Sequence, residues 1–157
     1  MRRKDRELTE LADILQVIEQ CRICRLAMSD AEGLYLVPMH FGYAYADGRL
    51  ELYFHSAREG RKIDALRANP QVCFEMDCDM QVYGGDPEIP CTYSSSFLRV
   101  IGNGRAEFLE QPAQKAAALN AILRHQAGRE FTFTEAMLQG VAVFRVVAES
   151  FSGKRHE

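Results

Sequence analysis

Six runs of strand-forming residues follow one another along this chain, and helical spacing appears at only three places. The runs are RICRLAMS (22–29), LYLVPMHFGYAYA (34–46), RLELYFHS (49–56), QVCFEMDC (71–78), SFLRVIGNGRAEFLE (96–110) and GVAVFRVVAESF (140–151). Asp30-Ala31-Glu32-Gly33 separates the first two and Asp47-Gly48 the next two. Both are hairpin signals, so the first three runs read as a meander. A doubly wound parallel sheet would need a helix between nearly every pair of strands. The order here points instead to a mainly β (α+β) fold, a six-stranded antiparallel barrel or sandwich with flanking helices.

Leu8, Leu11, Ile14, Leu15 and Ile18 recur at helical spacing and predict a first helix over 6–21. A second is expected over 57–68, stopping before Asn69-Pro70 because proline cannot continue it. Pro112 suits the first turn of a third, whose Leu119, Ile122 and Leu123 repeat correctly. Residues 79–92, with paired glycines and two prolines, read as a long loop. Gly102 and Gly104 mark a bulge or a close backbone approach in the fifth run.

The 157 residues fit one domain, 1–157. A net charge of −3 makes any anion site a local cluster and argues against a nucleic-acid partner. No apolar run approaches the roughly 20 residues needed to cross a bilayer, and MRRKDRE is followed by no signal-like apolar stretch. A soluble, cytoplasmic protein is expected. Five cysteines in such a chain predict reduced thiols. Cys21-Arg22-Ile23-Cys24 sits at a helix end, where a redox pair would need a helix start, and no second C-x-x-C completes a zinc site. Gly102-Asn103-Gly104 runs into a strand and lacks the helix of a dinucleotide fingerprint. His40 carries no distinguishing signal, and His125 near a helix end reads as a dipole complement.

The third run leads into YFHSAREGRKIDALRANP (53–70). Ser56-x-x-Glu59 reads as a capping box, and Arg58, Arg61 and Lys62 then crowd the first helical turn. Helix starts favour anions, so three cations there are locally unfavourable unless a ligand such as a phosphate is present. An exposed, solvated helix face is the alternative. Period 2 puts Leu50, Leu52 and Phe54 on one strand face and Glu51, Tyr53 and His55 on the other, so His55 points away from the interior. It is either a hydrogen-bonded structural residue or an acid–base group.

MRRKDRE, LYLVPMHFGY, LYFHSAREGRKIDALRANPQVCFE, VIGNGRAEF and the closing SGK together resemble the nitroimidazole-resistance (Nim) proteins of the pyridoxamine 5′-phosphate oxidase-like superfamily. The resemblance spans almost the whole chain. It implies an FMN-binding split β-barrel, usually a homodimer with the flavin between subunits. Arg61 and Lys62 match the superfamily's phosphate clamp. Val37, Pro38 and Met39 match the strand that runs along the isoalloxazine, and Phe54, His55, Ser56 and Ala57 the segment beside the ring and ribityl chain. His55 matches the Nim histidine near the flavin and becomes the candidate catalytic residue. Arg99 lies where a partner subunit would contact the flavin, in a stretch reading Phe97-Leu98-Arg99-Val100 where the family carries Y-R-S-V. The expected function is an FMN-dependent oxidoreductase passing electrons from a donor such as NAD(P)H to a small oxidised molecule, for instance a nitroaromatic. The alternative is a flavin- or haem-binding protein without turnover. No metal is expected.

Overall fold

The computed structural model describes residues 3–156. Its strands are β1 (Glu7–Leu8), β2 (Ile23–Asp30), β3 (Gly33–His40), β4 (Gly42–Ala46), β5 (Arg49–Ser56), β6 (Gln71–Tyr83), β7 (Ser94–Phe108) and β8 (Ala142–His156). The helices are α1 (Leu11–Gln20), α2 (Arg61–Ala68), α3 (Pro112–Ala127) and α4 (Glu135–Gln139). All pairings are antiparallel, in the order β3-β2-β6-β7-β8-β5-β4, with β1 on β8. This is the expected antiparallel split barrel with a few helices, and its sheet is open.

Among the described residues eight strands form where six runs were legible. The run 34–46 is broken at Phe41: β3 pairs with β2, while β4 pairs with β5. The expected meander is therefore two hairpins at opposite ends of the strand order, joined by one fully buried residue. The first helix starts at Leu11, because Glu7 and Leu8 pair with Lys154 and Gly153 instead. The expected loop 79–92 is shortened at its start, because 79–83 are strand. β6 continues to Tyr83 after a register shift between Cys78 and Gln81, where Asp79 adopts φ 54°.

Alternation decides which face is buried. Leu50, Leu52 and Phe54 are sealed inside with Phe41, Phe74 and Phe144, and Phe54 stacks on Phe144 at 5.3 Å. α1 sends Ile14, Val17 and Ile18 into the same core. A second, smaller core lies on the outer face, where Leu119 and Ile122 of α3 and Leu138 of α4 pack on Val143. Gly42 permits this layering, since a Cβ there would overlap the backbone of Ala121. The Asp47-Gly48 turn has φ 53° and 77°, the paired left-handed geometry of a tight hairpin. Among the described residues no helix is long and apolar enough to cross a membrane.

Candidate functional site: the gap between β3 and β5

The split in the barrel creates the site. The β4–β5 ladder ends at Gly42↔Tyr53, so Phe54, His55 and Ser56 have one edge without a strand partner. β3 is paired only through its β2 side, which leaves the other edge of Val37, Pro38 and Met39 open. If the β4–β5 register continued past the bend, His40 would stand opposite His55.

α2 closes one side of this gap, though not as the sequence suggested. It begins at Arg61, with Gly60 at the N-cap in a φ of 126° and no side-chain cap. Ser56 ends β5, so the expected capping box does not form. Gly60 is what allows the sharp strand-to-helix reversal, because its φ is one that side-chain-bearing residues avoid. The late start also breaks up the expected trio of cations. Arg58 lies ahead of the helix, while Arg61 and Lys62 occupy its first turn.

The two remaining cations differ. Arg61 is committed to protein partners: Asp30 at 2.6 Å, Glu32 at 3.4 Å, and the Tyr35 ring 4.6 Å beneath its guanidinium. This ties α2 to the β2–β3 turn and holds the Asp30 carboxyl below the ordinary aspartate value. Lys62 is half-buried and has no hydrogen-bond or ion-pair partner among the described residues, and burial lowers its pKa. Partial desolvation of the ring, then Lys62, then His40 push the His55 pKa below the ordinary histidine value, although the residue as a whole is exposed. His40, which the sequence did not single out, thus belongs to the site. The one available signal was register, since 40 and 55 extend the pairing of 42 with 53.

The other site residues divide by parity. Pro38, His55 and Ala57 are exposed, and Val37 and Ser56 are half-buried. Phe54 is fully buried and Met39 is 7% exposed, so both offer a ligand chiefly their backbone. Arg99 stands apart, on the outer face of β7 with its guanidinium 5.4 Å from the Phe97 ring. It pairs in register with Lys154, whereas His55 pairs with Val143. The two sites are thus separated by roughly 35 Å of β8 at about 3.3 Å per residue.

His125 lies in the last turn of α3, where a dipole complement was expected, but it is more than that. It is 7% exposed and packs edge-on against Phe41, with ring centroids 4.6 Å apart. The five cysteines are free thiols, and burial pushes Cys21 and Cys24 far above the usual thiol range, which makes them poor nucleophiles. Among the described residues no three His, Cys, Asp or Glu side chains gather as a metal site.

The family model described as pyridoxamine 5′-phosphate oxidase matches residues 10–155. The chain belongs to this family. Among solved structures, a candidate 5-nitroimidazole antibiotic resistance protein from Bacteroides thetaiotaomicron is 30% identical to this chain. The alignment covers 95% of this chain and 86% of that one, with a TM-score of 0.81. An FAD-binding protein from Mesorhizobium loti is 27% identical over 97% of this chain and 98% of that one, with a TM-score of 0.65. A flavocytochrome from Azotobacter vinelandii, at 17% identity over 100% of this chain and 72% of that one, shares the fold with a TM-score of 0.79. No curated protein matches the sequence.

Proposed function

We propose that this chain binds FMN in the gap between β3 and β5, as a homodimer, and acts as an FMN-dependent oxidoreductase. The observation that carries the reading is Lys62, a half-buried ammonium without a counter-charge among the described residues, at a helix start that no side chain caps. Such a cation is costly to bury alone, and a phosphate offsets that cost while accepting from the backbone N–H groups of Arg61 and Lys62, since those of Ile63 and Asp64 already donate to Gly60. The family membership and the FAD-binding protein at 27% identity support a flavin as the bearer of that phosphate.

When bound, the flavin supplies the electron transfer, from a reduced nicotinamide donor to a small oxidised acceptor such as a nitroaromatic. The protein supplies binding, orientation and a proton. Lys62 neutralises the phosphate. The open backbone edges of Val37–Met39 and Phe54–Ala57 offer hydrogen bonds along the ring and ribityl chain. His55, an imidazole at the mouth of the gap, hydrogen-bonds the acceptor and delivers a proton at Nδ1 or Nε2.

Two features support a second copy. Leu34 and Leu36 are 91% and 58% exposed on the outer face of β3, apolar area that a partner would cover. Arg99 is eleven β8 residues from His55 within one chain, which favours its contacting a flavin bound to a second copy.

A visible spectrum of the purified protein, followed by FMN titration, tests the reading. Flavin bands and binding that Lys62→Ala weakens tenfold or more are expected; a colourless protein indifferent to FMN would overturn it. Turnover is tested by reoxidation of the reduced protein. Acceptor-dependent rates that fall in His55→Ala support catalysis, and uniformly slow, acceptor-independent rates leave only a flavin binder.

A further inference from the structure

A second cleft lies beside the proposed flavin gap, between the β5–α2 loop, α2, the β7–α3 turn and the start of β8. It has a volume of about 520 Å³, within the range of small-molecule sites. Three cations line it, Arg58, Arg67 and Lys115, and none has a carboxylate partner among the described residues. Each is held differently. Lys115 is half-buried and donates to the carbonyls of Leu138 and Val141, at 2.9 Å each, which uses two of its three N–H groups. The Arg67 guanidinium lies 5.2 Å from the centre of the Phe108 ring, also in the cleft. Arg58 is exposed on the loop that follows Ala57.

The location of the cleft gives these charges meaning. Its floor includes Ala142 and Val143, the register partners of Ser56 and His55. Residues directly opposite on antiparallel strands project from the same face, so Val143 stands beside His55, one strand spacing of about 4.8 Å away. A ligand anchored in the cleft can therefore extend across the His55 position of β5 toward the open edge where the flavin reading puts the redox chemistry.

We propose that this cleft binds the phosphate-bearing adenosine half of a nucleotide whose other end reaches the His55 edge. This deepens the flavin reading and rests on it for the role of the nucleotide. Arg58 and the free N–H of Lys115 take the phosphates, and the Arg67–Phe108 pair gives the adenine a cationic and an aromatic plane to stack on. Glu59 and Glu110, which also line the cleft, accept from the ribose hydroxyls. Two sources share this chemistry: a nicotinamide donor, and the adenylate arm of a flavin dinucleotide.

Adenosine 5′-diphosphate, titrated calorimetrically into FMN-saturated protein, is the probe, because FMN then occupies the Lys62 site. Saturable binding is expected, weakened tenfold or more by Arg58→Ala/Arg67→Ala and by the single Arg58→Glu, with FMN affinity unchanged in both variants. Absence of saturable binding, or equal affinity in wild type and variants, would overturn the proposal. Should FMN itself fail to bind, the same titration in Lys62→Ala decides the cleft separately from the flavin reading. Displacement of the diphosphate by NADPH assigns the cleft to the donor. A preference for FAD over FMN in flavin-free protein that the double variant loses assigns it to the cofactor's own arm.

Discussion

The His125 ring stands with Nδ1 2.9 Å from the carbonyl oxygen of Phe41 and Nε2 3.2 Å from that of Glu19. A neutral imidazole carries one N–H, so the ring donates to one of these carbonyls and packs against the other, placing one side chain of α3 between the β3–β4 bend and the end of α1. Gln126 Nε2 also donates to the Phe41 carbonyl, at 2.8 Å. His125→Ala empties a packed position against Phe41 and Tyr43 and removes the ring's one N–H donor from the carbonyls it faces. A loss of about 2–4 kcal/mol is expected from urea unfolding, with the spectrum of any bound flavin little changed.

Gly102→Ala should destabilise through crowding. A Cβ at this position would come within 2.5 Å of the Ser150 carbonyl oxygen and overlap the Phe74 ring. Backbone atoms cannot yield there without opening the β7–β8 ladder. The expected cost is about 1–3 kcal/mol, read as a lowered thermal midpoint, while Gly48→Asn on the exposed turn costs little.

Arg61 and Lys62 should not be equivalent toward FMN. Arg61 is already neutralised by Asp30 and Glu32, so Arg61→Ala is expected to weaken binding only about two- to fivefold, against tenfold or more for Lys62→Ala. Asp30→Asn releases Arg61 from its strongest partner and should tighten FMN several-fold at low salt, an effect that vanishes at about 1 M salt where the Debye length is ~3 Å. Fluorescence titration of the three variants at two salt concentrations measures this.

His55 links flavin binding to pH. Its folded-state pKa lies below the ordinary 6.5, so as the pH falls below about 6.5 the unfolded chain takes up a proton that the folded one resists. Stability without ligand therefore declines with acid in that window. A phosphate beside Lys62 reverses the local field and raises the His55 pKa. FMN binding near pH 6 should then take up protons, seen as heats that depend on the buffer's ionisation enthalpy, and His55→Gln should abolish most of the uptake.

The strand face of His55 was legible because parity needs only local spacing, and Leu50, Leu52 and Phe54 announce the buried side. The break at Phe41 was not, since LYLVPMHFGYAYA is continuously strand-forming, and only the competing demands of β2 and β5 for the same run split it. The start of α2 was misread for a related reason. Ser56-x-x-Glu59 satisfies a capping pattern, but Ser56 is held in β5 by its pairing with Ala142, and strand pairing over many residues outweighs one cap. His125 carried no local sign of burial because its partners come from Phe41 and Glu19, far away in the sequence.

The Phe41 bend also bears on how the chain acquires its shape. A strand shared between two ladders at opposite ends of the sheet order cannot settle until the strands between are in place, and β7 meets β8 only across residues 109–141. Loop closure entropy must be met before those pairings stabilise anything, so local hairpins such as β4–β5 form early without fixing the site. Productive assembly is a late, long-range event, in the millisecond-to-second range of non-local β topologies. A ligand bridging the open edges of β3 and β5 would join the two ends of the sheet order, slowing unfolding more than it speeds folding.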